Sequence, residues 1–512
     1  MKGRKLFLLP AALALGALTL GATQLGAQSQ RNCVRFASVE ATGSKNSLDP
    51  AHHTSTHDGA GIHLTHNRLV NRDENWRVSP ELASSWKSNK SGTIWTFQLR
   101  RGVKFHDGHE LTAADVVYTF RRLLNPKTGS AAKSSLAFLT PSGIRPSGRY
   151  AVQFRTKSPV AELPLLITIK QTWIVANGAD DETIKTKGAG TGPFRVVDFK
   201  PLKTRQLFVR NADYWQKGLP KAKCIEVSVV QEATSKLAAI QTNQVDVIQA
   251  VDLNTIAALK KNQGVRLLVS VPSTLVGLTV RIDTPPFDDN RVRLAMKKVI
   301  DRQKMVDVLL LGFGAVGDDN PIPPTSPAAW RHKVPGQDIE GAKKLLAAAG
   351  YSESKPLEVS AHCSDFIPGL VNLCQLYQQM AAQAGIKVDL VTGPASEFFD
   401  TVWLKKPFVV TGWGARPPGE ALAVAYRADA EWNETHWKRP DYEALLDKAN
   451  ATLNPSKRVA GFRSAAKLLA LEGGIIVPMF TKTVAGVRSN CSGYKPSNEF
   501  ALPELRFVSC KR

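Results

Sequence analysis

Between Ile94 and Leu123 the sequence changes period, and that change commits the chain to strands followed by helices. Ile94-Trp-Thr-Phe-Gln-Leu-Arg100 alternates apolar and polar residues, as a half-buried strand does. Asp107-Gly108 then marks a turn. Thr112-Ala-Ala-Asp115 supplies an N-cap with an acid at N3, opening a helix through Val116, Val117, Phe120 and Leu123 that ends before Pro126. The same alternation recurs downstream. Ile225–Val230 and Leu357–Ala361 read as strands, and Ser235–Thr242, Glu340–Ala349, Leu370–Ala384 and Tyr442–Leu453 as helices. Arg291–Leu309 reads as one helix with Asp288 and Asp289 near its positive end. An α/β chain with more than one sheet is expected.

The N-terminus addresses the chain for export. Lys2, Arg4 and Lys5 precede an apolar run from Leu6 to about Ala22, and small residues at Gly26 and Ala27 suit a signal peptidase. The run falls short of the roughly 20 residues a membrane helix needs. Residues 1–27 are therefore expected to be a signal peptide, leaving about 485 residues, room for two or more domains. Gln30-Arg31-Asn32 before Cys33 argues against a lipid anchor, so a free periplasmic protein is expected. Six cysteines lie past the leader, and an oxidising compartment permits disulfides among them. Pairing Cys363 with Cys374 and Cys491 with Cys510 would close short loops and leave Cys33 with Cys224, but the sequence alone leaves the pairing open.

The formal net charge of +23 invites a nucleic-acid reading. A nucleic-acid binder concentrates that charge on one strip, whereas here Lys and Arg are scattered end to end, so no nucleic-acid partner is expected. Catalytic motifs fail in context. Ser130-Ala-Ala-Lys133 has Lys127-Thr-Gly129 directly before it instead of far downstream. Gly188-Ala-Gly-Thr-Gly192 runs into Pro193 where a phosphate loop needs a helix start with free N–H donors, and so reads as a glycine-rich turn. No catalytic residue and no cofactor is assigned. Five of ten histidines fall between His52 and His66, a metal-friendly composition. Pro50, Gly59 and Gly61 argue that this stretch is loop, and polar cleft-lining or surface histidines are the preferred reading over metal ligands.

Taken together, an ordered set of motifs resembles the family 5 bacterial extracellular solute-binding proteins, the peptide, nickel and opine receptors of ABC importers. The set comprises Pro80-Glu-Leu-Ala-Ser-Ser-Trp86, the Trp95–Gly108 and Leu111–Val117 segments, Gly190–Phe194, Arg210-Asn-Ala-Asp-Tyr-Trp215, Val245-Asp246, Pro286–Arg293 with Ala295, Ile300-Asp-Arg302 and Gly473–Pro478. The resemblance implies a two-lobed periplasmic binding protein fold of the class II, cluster C type. Lobe I would be 28–270 plus 482–512, with an extra subdomain at roughly 75–185, and lobe II 271–481, hinged near Val271 and Thr481. It further implies a monomer that captures a small peptide, opine or amino-acid conjugate and delivers it to an inner-membrane ABC permease. A metal-complex, metallophore or haem receptor of the same fold is the alternative, and a secreted hydrolase is a more distant one, disfavoured because no nucleophile–base pair or paired-carboxylate motif stands out.

By the same resemblance, ligand contacts fall on Thr54, Ser55, Thr56 and His57 in lobe I, and on Asp365, Trp413, Arg416, Tyr426, Trp432, Asn433, Glu434 and Trp437 in lobe II. Dipeptide receptors place an aspartate in the turn where this chain has Ala415 and Arg416, and an arginine close to where it has Asp365. The anchoring charges look exchanged. A guanidinium is a good carboxylate clamp, so Arg416 is assigned an acidic group of the ligand and Asp365 a cationic one.

Overall fold

A computed structural model describes residues 33–38, 47–53, 56–130, 132–199, 205–230, 232–272, 274–330, 333–496 and 504–511. The expected signal peptide lies outside them. Among the described residues the strands form a seven-stranded, a six-stranded and a four-stranded sheet, with two further strand pairs. The seven-stranded sheet is built around Val34–Ser38, which runs parallel to Cys224–Val229 on one side and to Val247–Ile248 on the other. The six-stranded sheet centres on Thr274–Val280, flanked antiparallel by Ile475–Thr481 and Phe408–Trp413. The four-stranded sheet (Ala83–Ser88, Ile94–Leu99, Ala151–Thr156, Leu139–Pro146) is antiparallel. It packs its own core with the helix Ala113–Leu124.

The chain passes between the two large sheets twice. It leaves the first after Val265–Val269 and enters the second at Thr274; it returns between Thr481 and Val484. The crossovers run side by side. The Ser270 amide donates to the Thr483 carbonyl at 2.9 Å, and the Thr483 amide to Ser270 Oγ at 2.9 Å. Each large sheet buries apolar side chains on both faces, so the cores on either side of the crossovers are separate.

Local chemistry explains most boundaries. Thr112 and Asp115 form the expected capping box, with Asp115 also accepting from the Asn177 amide at 3.0 Å. The helix expected over Arg291–Leu309 is two, Asn290–Lys298 and Arg302–Leu310. Asp301 breaks it by accepting from the Lys304 amide at 2.9 Å, acting as an N-cap inside what periodicity reads as one element. The loop expected around His52–His66 is largely the helix Thr56–Thr65. Gly61 is a packing device: a Cβ there would meet Leu48 at 2.4 Å, so glycine lets the helix lie close on its neighbour.

The Gly188–Gly192 turn closes on the end of that helix, where a Cβ at Gly192 would sit 2.2 Å from the Thr65 carbonyl carbon. The turn is thus used for close backbone approach. Ser130 is likewise structural, donating to the Ala51 carbonyl at 2.7 Å. Three disulfides join Cys33–Cys224, Cys363–Cys374 and Cys491–Cys510.

Two buried cations in the Arg291–Arg302 segment satisfy the end of the helix Pro455–Glu472. Arg293 donates to the Glu472 carbonyl at 2.7 Å, and Lys297 Nζ to those of Ala470 and Gly473, both at 2.8 Å. Cations at a helix C-terminus meet both its unpaired carbonyls and its dipole. Burial lowers the Lys297 pKa to about 8. No helix among the described residues is long and apolar enough to cross a membrane.

Candidate functional site

The parallel strands of the six-stranded sheet end at Cys363, Thr392 and Trp413, on the side where the chain crosses between sheets. In α/β sheets the space beyond such carboxyl ends is where ligands are held. Strand Phe408–Trp413 emerges there, with Trp413 paired across to Leu275 just past the first crossover. It then turns through Gly414–Arg416 into Pro417-Pro418, whose fixed φ angles start a short helix. Arg416 is only 25 % exposed. Its Nε donates to Glu420 at 3.1 Å, one terminal nitrogen to the Gly414 carbonyl at 3.2 Å, and its guanidinium lies 5.1 Å from the Trp413 ring centroid.

Facing this turn is the tip of a hairpin from the other side of the crossovers. Glu74, Asn75 and Trp76 share a small cavity with Pro272, Ser326, Ala415 and Arg416. Trp76 holds a left-handed φ of 64° and its ring is stacked under the Arg72 guanidinium at 4.0 Å. Hairpin and turn therefore form opposing walls.

Beside Arg416 lies a run of aromatic rings. Trp413, Trp403 and Trp432 have pairwise centroid distances of 5.9–6.3 Å. Phe399 continues the run 5.6 Å from Trp403, and Phe366 stacks on Phe398 at 4.6 Å. Beneath them is Glu434, almost fully buried, which accepts from both the Trp413 and Trp403 indole N–H groups at 3.0 Å and from Thr411 Oγ1 at 2.9 Å. Burial raises its pKa and these donors partly offset the rise. Asp365 sits on the loop bounded by the Cys363–Cys374 disulfide, its carboxylate accepting from the Val371 amide at 2.8 Å. Gly412 lets this loop lie over the strand end, since a Cβ there would meet Ile367 at 2.4 Å.

The lobe-II residues expected in the site divide in two. Trp413, Arg416, Trp432 and Asp365 gather around the space just described. Tyr426, Asn433, Glu434 and Trp437 are buried within the same lobe. Tyr426 and Trp437 belong to its apolar core, and Asn433 spends its amide on the Arg427 and Trp437 backbone. Burial, then the charge of Glu434, holds the Tyr426 phenol well above its ordinary range. Thr54 and Ser55 lie outside the described residues, as do the side chains of Thr56 and His57, whose backbone opens the helix Thr56–Thr65.

His52 is exposed beside Asp49, and the remaining three histidines of this stretch turn inward. His53 Nδ1 bonds the Lys170 carbonyl at 2.8 Å, His66 Nδ1 meets Thr65 Oγ1 at 2.9 Å, and His63 packs on Trp173 at 4.2 Å. Among the described residues the one convergence of potential metal-ligating atoms is Asp246 with Cys491 and Cys510, whose sulfurs are joined in a disulfide.

Sequence reasoning missed Trp403, Phe399, Phe366 and the Trp76 hairpin tip. Only the π-helical winding of Phe398–Val402 puts Phe399 outward beside Trp403.

Comparison with known proteins agrees with this architecture. The family described as bacterial extracellular solute-binding proteins, family 5 Middle, matches residues 77–433. Haem-binding protein A of Haemophilus influenzae is 26 % identical, covering 79 % of this chain and 80 % of its own. The dipeptide-binding protein of Escherichia coli is 25 % identical over 88 % and 90 %. In three dimensions, HbpA2 from Haemophilus parasuis superposes with a TM-score of 0.83 at 22 % identity, covering 94 % of this chain and 100 % of the other.

Proposed function

This chain belongs to the family 5 bacterial extracellular solute-binding proteins, the substrate-binding components of ABC importers, and from that premise we propose what it captures and how. It works in the periplasm as a receptor for a small peptide, opine or amino-acid conjugate, and passes the closed complex to an inner-membrane permease. Lobe I (28–270 with 482–512) and lobe II (271–481) close on the ligand about the crossovers at 270–272 and 482–483. Binding energy shifts an open–closed equilibrium, and no bond is broken.

The observation that carries this reading is the Arg416 turn. It stands at the carboxyl end of the lobe-II sheet, faces the Glu74–Trp76 hairpin of lobe I, and adjoins the paired crossovers. Arg416 is braced by Glu420 and Trp413 while bordering the cleft, which suits a guanidinium that holds the ligand's acid group. The haem or metal-complex alternative draws on relatives such as the haem-binding protein and on His52–His66, but His53 and His66 are committed to bonds within the chain.

Incubation of the purified protein with a mixture of dipeptides, opines and acylated amino acids, followed by native mass spectrometry, tests the reading. Retention of at least one component at a 1:1 ratio is expected. Retention of none, with haemin or nickel–histidine retained instead, would favour the alternative.

A further inference from the structure

The aromatic run beside Arg416 is not needed to hold an acid group, and its construction points to a different part of the ligand. The indole N–H groups of Trp403 and Trp413 are both turned inward onto Glu434. What these two rings offer the cleft is therefore π faces and no donors. A carboxylate bonded to an indole N–H pushes electron density into the ring, and hydrogen-bonded chains of this kind polarise one another. The faces above it are accordingly better seats for positive charge than an ordinary tryptophan surface.

Two further observations bear on the occupant. The platform is left open: Trp432 is 39 % exposed and the adjoining Phe399 53 %. Within the chain, one organic cation already uses this surface, the Arg416 guanidinium 5.1 Å from the Trp413 centroid. Charge balance points the same way. Glu434 lies beneath the platform, Arg416 beside it is already ion-paired with Glu420 at 3.1 Å, and Lys405 spends its ammonium on the Asp400 carbonyl.

We propose that the Trp403–Trp413–Trp432 platform is a subsite for a flat organic cation, such as a guanidinium, carried by the ligand at the end away from the acid group held by Arg416. The inference rests on the capture reading above and adds to it the class of ligand: a zwitterion with a planar cationic end.

The test compares two probes that differ in charge and hardly in shape, Nα-acetyl-arginine and Nα-acetyl-citrulline, by isothermal calorimetry. The dipeptide, opine and acylated amino-acid mixture serves as the control for capture itself. The arginine probe is expected to bind about tenfold more tightly. Trp432→Ala should bring the ratio of the two affinities close to one, while Trp432→Phe keeps part of it; the exposure of Trp432 makes unfolding by either change unexpected. Equal affinities in the parent protein, no binding of the arginine probe, or a ratio that survives Trp432→Ala would overturn the cation subsite and leave the receptor reading intact if mixture components are retained. Retention of nothing at all would overturn both.

Discussion

Arg416 shows how much a single side chain can be asked to do here. Its ion pair with Glu420 is half-buried and its ring contact is with Trp413. Such a pair contributes up to about 1 kcal/mol to stability, so Arg416→Ala should barely move the melting temperature. Loss of a charge-assisted clamp on a carboxylate costs more, about 1.5–3 kcal/mol, so the dissociation constant for an acid-bearing ligand should rise at least tenfold. An unchanged constant would remove Arg416 from the site.

His66 makes a different kind of prediction. Burial holds its imidazole near 3 against an ordinary 6.5. Below 6.5 the unfolded chain takes up a proton that the folded chain refuses, so this contribution to stability is present above 6.5 and lost as pH falls toward 3. The gap in unfolding free energy between the parent and His66→Gln should therefore narrow by about 1.4 kcal/mol for each pH unit lost between 6 and 4. A constant gap would mean that the imidazole titrates alike in both states. Nothing in the local sequence H-L-T-H-N foretells this environment; it comes from Gly190 and Gly192, over a hundred residues on, closing against the ring and its backbone.

At the scale of elements, capped and periodic segments were legible, while segments shaped by distant partners were not. Thr112 with Asp115 announces its own helix. The break at Val299–Asp301 does not, because Asp301 looks like one more polar position until its carboxylate is seen on the Lys304 amide. The candidate site was legible only in part, since Trp432 and Glu434 are two residues apart yet one faces out and the other is buried under indoles. Composition marks both as recognition residues; burial decides which can touch a ligand. The loop of Asp365 and Phe366 is an element of this second kind, held by Cys363–Cys374 across 11 residues. Replacing both cysteines by alanine should cost about 2–3 kcal/mol, read as a lower melting temperature. It should also weaken ligand binding, because the loop stacking Phe366 on Phe398, beside the platform, would lose its tether. An unaltered melting temperature would show that the bond contributes nothing to the fold.

For the whole molecule, the architecture was legible because the recognisable motifs build shared scaffold. Asn67, Glu81 and Tyr214 meet around Arg506 in one buried network: Asn67 donates to Glu81 at 2.8 Å, and Arg506 reaches Tyr214 at 3.0 Å. Asp246 likewise binds Arg35 at 2.8 Å and faces Arg488 at 3.5 Å, tying together strands far apart in sequence. Such networks are costly to leave half-satisfied; these two lie within lobe I, whereas Glu162 and Arg458 pair between the lobes at 3.0 Å. Between the large sheets, by contrast, the described chain connections are the crossovers at 270–272 and 482–483, bonded to each other. Motion should concentrate there, since the cores on either side are separately packed and resist deformation. Saturating ligand should thus lower the radius of gyration in solution scattering. It should slow amide exchange at the crossovers, the Glu74–Trp76 tip and the Gly414–Arg416 turn, while the strands Val34–Ser38 and Thr274–Val280 keep their rates. Slowing spread evenly over both sheets, with no change in radius, would mean that ligand stiffens a fixed body, and hinged capture would have to be given up.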